Sequence, residues 1–144
     1  MPFFNRNTTE TWYPSDHWVP VFTTHDYFLN FNKCILTYCV NNDQTRGGSR
    51  IRMVAIDENG NEIAYAYGEG TIDGEVSKEV GTTLTELEFK NWYAIENGAE
   101  TRRLFRDTAN ANIIEKAKVR MTLKMNKLSL FITSFAINGT KYEN

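Results

Sequence analysis

The stretch Lys118-Val119-Arg120-Met121-Thr122-Leu123-Lys124-Met125 alternates strictly, with Val119, Met121, Leu123 and Met125 on one side and polar residues on the other. Side chains along a strand point to opposite faces in turn, so this segment reads as a strand with one face in a core and one in water. Asn126-Lys127 follows, a dipeptide suited to a tight turn. Beyond it lies Leu128-Ser-Leu-Phe-Ile-Thr-Ser-Phe-Ala-Ile137, where apolar residues occupy both alternations. That pattern predicts a central strand covered on both sides and entered through a hairpin.

Working outward, a second hairpin is legible in Arg50-Ile-Arg-Met-Val-Ala-Ile56, then Asp57-Glu-Asn-Gly-Asn-Glu62, then Ile63-Ala-Tyr-Ala-Tyr67. Asn59-Gly60 supplies the positive φ angles a type I′ turn requires. A third hairpin joins Asn91-Trp-Tyr-Ala-Ile95 to Thr101-Arg-Arg-Leu-Phe105 across residues 96–100. Residues 19–24, 27–40 and 84–89 add further apolar runs, giving about eight to ten strands in all. The expected fold is all-β, an antiparallel β-sandwich or jelly roll. It carries at most one short helix, over residues 109–117, with Asp107 and Thr108 as caps.

With 144 residues, 41% of them hydrophobic and 24% charged, the chain fits one domain able to bury a core without disulfides or metal. Residues 1–17 stand apart as an N-terminal arm, because Phe3, Phe4, Trp12 and Tyr13 sit among Asn and Thr with no strand or helix period. Residues 18–144 form the sandwich. The arm either folds back on its own sandwich or docks on a neighbouring subunit, where aromatic anchors carry most interface energy. No run of about 20 apolar residues suited to a membrane span occurs, so no membrane partner is expected. Met1-Pro2-Phe3-Phe4-Asn5-Arg6 lacks the features of a secretion signal, so synthesis without export, in the cytoplasm, is expected. Cys34 and Cys39 lie five apart in an extended run, on opposite faces and about 17 Å apart, which predicts free thiols.

Catalytic and cofactor motifs are not found. Asp57-Glu-Asn-Gly-Asn starts like a calcium loop, but Glu62 and Gly68 stand where Gly and Glu are needed. Gly68-Glu-Gly70-Thr-Ile-Asp-Gly74 misses the dinucleotide spacing by one residue and reads as a flexible loop. Asp16-His17 and His25-Asp26 are neighbours that an extended backbone aims apart, so solvated loop residues are expected. The chain is therefore read as no enzyme and as needing no cofactor or metal.

Charge is unevenly distributed. From Asp57 to Glu100 there are 11 acidic residues against two lysines, whereas Thr101 to Lys127 carries eight basic against two acidic. Either these segments neutralise each other across strands, or the subunit presents an acidic and a basic surface, with Arg102, Arg103 and Arg106 at an interface. A net charge of −2 and a pI near 5.7 disfavour nucleic acid as a partner.

The order of Cys34–Val40, then Arg52-Met-Val-Ala-Ile-Asp-Glu-Asn-Gly-Asn-Glu-Ile, then Leu128-Ser-Leu-Phe-Ile-Thr-Ser-Phe-Ala-Ile-Asn-Gly-Thr resembles the galactose-binding-like jelly rolls of many carbohydrate-binding modules. The resemblance implies a sandwich with a saccharide ligand. Trp18, Tyr65, Tyr67, Trp92 and Tyr93 are then the rings that would stack on sugar faces. The primary expectation is a non-catalytic structural or interaction subunit of a larger assembly. A bacteriophage or viral particle accessory protein, such as a capsid decoration, head-tail ring or tail component, fits best. It would be located in the virion and partnered by other protein subunits or by copies of itself. The alternative is a carbohydrate-binding module using exposed aromatics.

Overall fold

Short β-rich runs broken by Asn, Asp and Gly fold as strands throughout a computed structural model that describes residues 10–13, 15–40, 49–76, 84–109, 114–124 and 128–142. In chain order they are β1 (Glu10–Trp12), β2 (Val19–Thr23), β3 (Phe28–Phe31), β4 (Cys34–Val40), β5 (Arg50–Ile56) and β6 (Glu62–Ala66). There follow β7 (Thr85–Phe89), β8 (Tyr93–Glu96), β9 (Ala99–Leu104), the helix α1 (Phe105–Ala109), β10 (Ile114–Lys124), β11 (Leu128–Ile137) and β12 (Thr140–Lys141). Two antiparallel sheets result. One has the order β1-β11-β4-β7, with β12 also on β11; the other has the order β2-β10-β5-β6-β8-β9, with β3 also on β10. Their facing sides share one core that includes Leu36, Phe89 and Phe135 from the first sheet and Met53, Val119 and Met121 from the second. The fold is the expected all-β sandwich.

The Val119, Met121, Leu123 face of β10 points into that core, as its alternation requires. The hairpin expected at Asn126-Lys127 is not formed. β10 pairs with β2, β3 and β5, while β11 pairs with β1, β4 and β12, so the chain changes sheet between them. The dipeptide itself lies outside the described residues. The antiparallel pair β4·β11 is thereby continued on the other sheet by β5·β10.

β11 is central, but its apolar residues on both alternations have a different cause from the one expected. The register against β4 shifts between Ile132 and Ser134. A bulge of this kind reverses the side-chain phase, so Ile132 and Phe135, three apart, both face inward. The strand buried on both faces is instead β5, where every residue after Arg50 is buried.

Turn chemistry also differs from expectation in one place. Between β5 and β6 only Gly60 has positive φ, at 82°, whereas a type I′ turn needs both central residues there. Gly60 N–H donates to the Asp57 carbonyl at 3.0 Å, and Asp57 Oδ1 accepts from Asn59 and Asn61 N–H at 2.9 Å each. The Asp side chain thus settles a type I turn with Gly60 after it. The two-residue type I′ geometry occurs at Asn97-Gly98, with φ of 53° and 77°, joining β8 to β9. The helix is displaced as well. It covers Phe105–Ala109, and Ile114–Ala117, expected to be helical, begin β10, since Ile114 and Ala117 are buried in the core.

Cys34 and Cys39 are free and buried. Burial pushes the Cys34 thiol well up, which keeps it protonated and unreactive. Asp16 and His17 are exposed as expected, yet a bend turns them together, with Nδ1 to Oδ1 at 3.3 Å. That contact, led by the hydrogen bond to His17, lowers the Asp16 pKa. Among the described residues no helix is long and apolar enough to cross a membrane.

Candidate ligand-binding cleft

The outer face of β5 is covered because its own sheet curls. Register shifts in the β5·β6 and β8·β9 pairs bend the sheet, so β9 returns over a strand three places away in the order. Two contacts fasten it. Arg52 Nη1 donates to Glu100 Oε1 at 2.9 Å, and the Tyr65 hydroxyl donates to the Thr101 carbonyl. Thr101 Oγ1 also donates to the Ala94 carbonyl at 2.7 Å. Under this fold-over lie Val54, Ile56 and Tyr65, with Tyr67, Tyr93 and Ile95 against them. Trp18 covers the Arg52 guanidinium at 4.6 Å from ring centroid to charge.

Tyr65 and Tyr67 share a face by the two-residue strand period, and Tyr93 stands opposite Tyr65 in register. Ring centroids are 5.7 Å apart for Tyr65–Tyr67 and for Tyr65–Tyr93, and 6.3 Å for Trp18–Tyr67. These tyrosines form one side of an open cleft of about 300 Å³, completed by Glu69, Thr71, Asp73, Asn91 and Arg102.

The opposite wall is the segment 68–76, which is fastened rather than flexible. Glu69 N–H donates to Glu88 on β7 at 2.8 Å, Val76 N–H to Ser49 at 2.8 Å, and Ile51 N–H to Gly74 at 2.9 Å. Asp73 and Gly74, with φ of 52° and 80°, form a tight turn closed by Glu75 N–H on the Ile72 carbonyl at 3.0 Å. Gly74 packs directly on the Tyr67 ring and the Ile51 carbonyl. This turn sets both Asp73 and Tyr67.

Of the rings expected to stack, Trp18, Tyr65, Tyr67 and Tyr93 come together here, but Tyr65 is only 4% exposed within the cluster and has no face open to a ligand, which leaves Tyr67 and Tyr93 as the half-buried rings at the cleft. Trp92 does not. As the neighbour of Tyr93 it points to the other face, packs edge-on against Phe31 at 4.8 Å, and donates its indole N–H to the Asn32 carbonyl at 2.9 Å. In the arm, Trp12 lies in β1 and packs half-buried against the core, so residues 10–12 fold back on their own sheet. Tyr13 is 67% exposed, and Phe3 and Phe4 lie outside the described residues. Arg102 faces Asp73 at 3.9 Å, Arg103 binds Glu96 at 3.1 Å, and Arg106 is exposed on α1. With Lys116–Glu58 and Arg120–Glu62, both at 3.3 Å, the basic segment pairs repeatedly with the acidic one. Much of the unevenness along the sequence is neutralised in space.

Asp73, Glu69, Asn91, Arg52 and Glu100 escaped the sequence reading. The Asp73-Gly74 dipeptide, a turn signature between apolar runs, was the signal available for the first of them.

Burial, then the Glu100 charge, pushes the Tyr67 phenol up to about 12, and burial alone does the same for Tyr38. Tyr65 is raised by burial first and Glu100 second. All three stay protonated in the fold at a pH where the unfolded chain ionises. For Tyr38 and Tyr67 the contribution to stability is complete below the ordinary value of 10 and is lost as pH rises through about 12, and Tyr65 acts in the same direction. Urea midpoints are expected to hold steady up to about pH 9, where the Cys34 thiol begins to ionise in the unfolded chain alone, and to fall from there to pH 12, with a smaller fall in Tyr38→Phe. A flat profile to pH 12 contradicts this.

Fold and site together define an antiparallel β-sandwich with an aromatic, polar-lined cleft on its curled outer face. No protein-family model, curated protein or solved structure matches the chain.

Proposed function

We propose that this chain is a non-catalytic recognition domain whose aromatic cleft binds a carbohydrate. The observation that carries the reading is the convergence of Tyr67 and Tyr93, backed by the buried Tyr65, with Asp73, Asn91 and Arg102 around one open cavity. Aromatic faces suit the C–H face of a sugar ring, and carboxylate, amide and guanidinium groups suit its hydroxyls. Trp18 lies beside Tyr67, so indole fluorescence reports occupancy. Titration with a glycan panel is expected to give a saturable signal for at least one sugar, weakened roughly tenfold in Tyr67→Ala through loss of ring contact. Silence across the panel sinks the reading.

A subunit of a larger assembly, such as a virion accessory protein, is a second reading compatible with the first. It is supported by another surface, where Ile72, 79% exposed, lines a shallow groove with Val76 and Leu87. Grouped apolar side chains of this kind suit protein contact. Light scattering in the same experiments separates the two. An oligomer dissolved by Ile72→Asp favours assembly, and a monomer at every concentration removes self-assembly.

A further inference from the structure

The ion pairs that hold the curled sheet are hydrogen bonds as well, at 2.9 Å for Arg52–Glu100 and 3.1 Å for Arg103–Glu96. The pair in the cleft differs. Arg102 Nη1 stands 3.9 Å from Asp73 Oδ1, beyond hydrogen-bond reach, and the two side chains are 86% and 41% exposed. The other carboxylate in the cleft, Glu69, already accepts from Asn91 Nδ2 at 2.6 Å. Arg102 therefore keeps its fork of donors, and Asp73 its acceptor oxygens, for a ligand between them. The position of Asp73 is set by backbone, since its left-handed turn is locked against Ile51 and Tyr67 through Gly74.

Such a pair takes a group that donates on one side and accepts on the other. Adjacent hydroxyls of a pyranose do both: one gives its proton to Asp73, and the oxygen of its neighbour accepts from Arg102. A carboxylated sugar would satisfy Arg102 but face Asp73 and Glu69; an ammonium sugar would satisfy Asp73 but face Arg102. At about 300 Å³ the cleft is at the small end of ligand sites, fit for a single ring. Building on the saccharide reading above, we infer that the cleft selects an uncharged sugar ring through a vicinal hydroxyl pair bridging Asp73 and Arg102, which makes these two the specificity-determining residues.

The test titrates wild type, Asp73→Asn and Arg102→Ala with methyl pyranosides of glucose, galactose and mannose, with their uronic acids, and with single-deoxy analogues. Asparagine tolerates the left-handed backbone at position 73, so the fold is kept. The expected result is uronic acids at least roughly tenfold weaker than neutral sugars. Loss of one of two adjacent hydroxyls is expected to weaken binding roughly tenfold to a hundredfold. In each variant the penalty for the one hydroxyl that its residue holds shrinks, in Arg102→Ala to nothing, while the penalty for the other hydroxyl and the affinity for the matching deoxy compound are unchanged, which general damage to the cleft does not produce. Neutral sugars bound without a deoxy penalty, or uronic acids bound as tightly, overturn this inference alone. No sugar bound by wild type overturns it together with the saccharide reading.

Discussion

Replacing Gly74 with alanine is expected to cost the fold about 3 kcal/mol and to abolish ligand binding at the cleft. Two effects add at this position. A φ of 80° is left-handed backbone, which an L side chain adopts at a cost of roughly 1–2 kcal/mol. A methyl group there would also overlap the Ile51 carbonyl oxygen and come within 2.7 Å of a Tyr67 ring carbon. Neither neighbour yields freely, because the Gly74 carbonyl itself accepts from Ile51 N–H. Gly70 supplies the control. Its φ is also 80°, but nothing lies within 4 Å of an added Cβ, so Gly70→Ala isolates the conformational part at about 1 kcal/mol. Urea unfolding of the two variants measures the difference. If Gly74→Ala proves no more costly than Gly70→Ala, the turn does not brace Tyr67 and the wall of the cleft is softer than its contacts imply.

The same turn illustrates what a sequence of this type conceals. Alternation in residues 118–124 was sufficient to place a half-buried strand, because one face against a core is a local pattern. The partner of that strand was not local. Adjacent segments that look like a hairpin belong to different sheets, and only pairing with β2, β3, β5, β1 and β4 shows it. Apolar residues on both alternations of β11 had two causes open to them, double covering or a bulge, and periodicity does not separate the two. Asn59-Gly60 and Asn97-Gly98 are the same dipeptide, yet Asp57 two residues before the first diverts it by accepting backbone N–H groups. In the cleft, the aromatic members were legible as residue types, and the alternation at Trp92-Tyr93 already implied that only one of the two faces outward. Of the polar members, Glu69, Thr71 and Asp73 were hidden in a segment read as a flexible loop, since its order comes from hydrogen bonds to residues 49, 51 and 88.

Removing the Glu100 carboxylate is expected to destabilise the domain by about 3 kcal/mol, the low end of the range for a buried charge left without its partner. Arg52 explains the size. Its side chain is 7% exposed, its Nη1 has Glu100 as ionic partner, and its Nε has no hydrogen bond. The Trp18 ring that covers the guanidinium offsets part of the loss and shuts out water. The two halves of the pair are not equivalent, because Glu100 is 36% exposed and can turn to solvent. Arg52→Met therefore costs less, about 1 kcal/mol, as an apolar chain of similar length settles beside Val54 and Trp18. Arg103→Ala, which breaks the exposed pair with Glu96, costs under about 1 kcal/mol. A double-mutant cycle in urea over Glu100→Ala and Arg52→Met isolates the coupling, and the double variant is expected to be more stable than Glu100→Ala alone. Equal costs for Glu100→Ala and Arg103→Ala contradict the account. The neighbours of Arg52 on the same face of β5, Val54 and Ile56, are apolar, so burial alone did not demand a charge there. What the charge adds is a single address on β5 for residue 100, and with Thr101 held by Tyr65 on the next strand, Arg102 is carried to the mouth of the cleft.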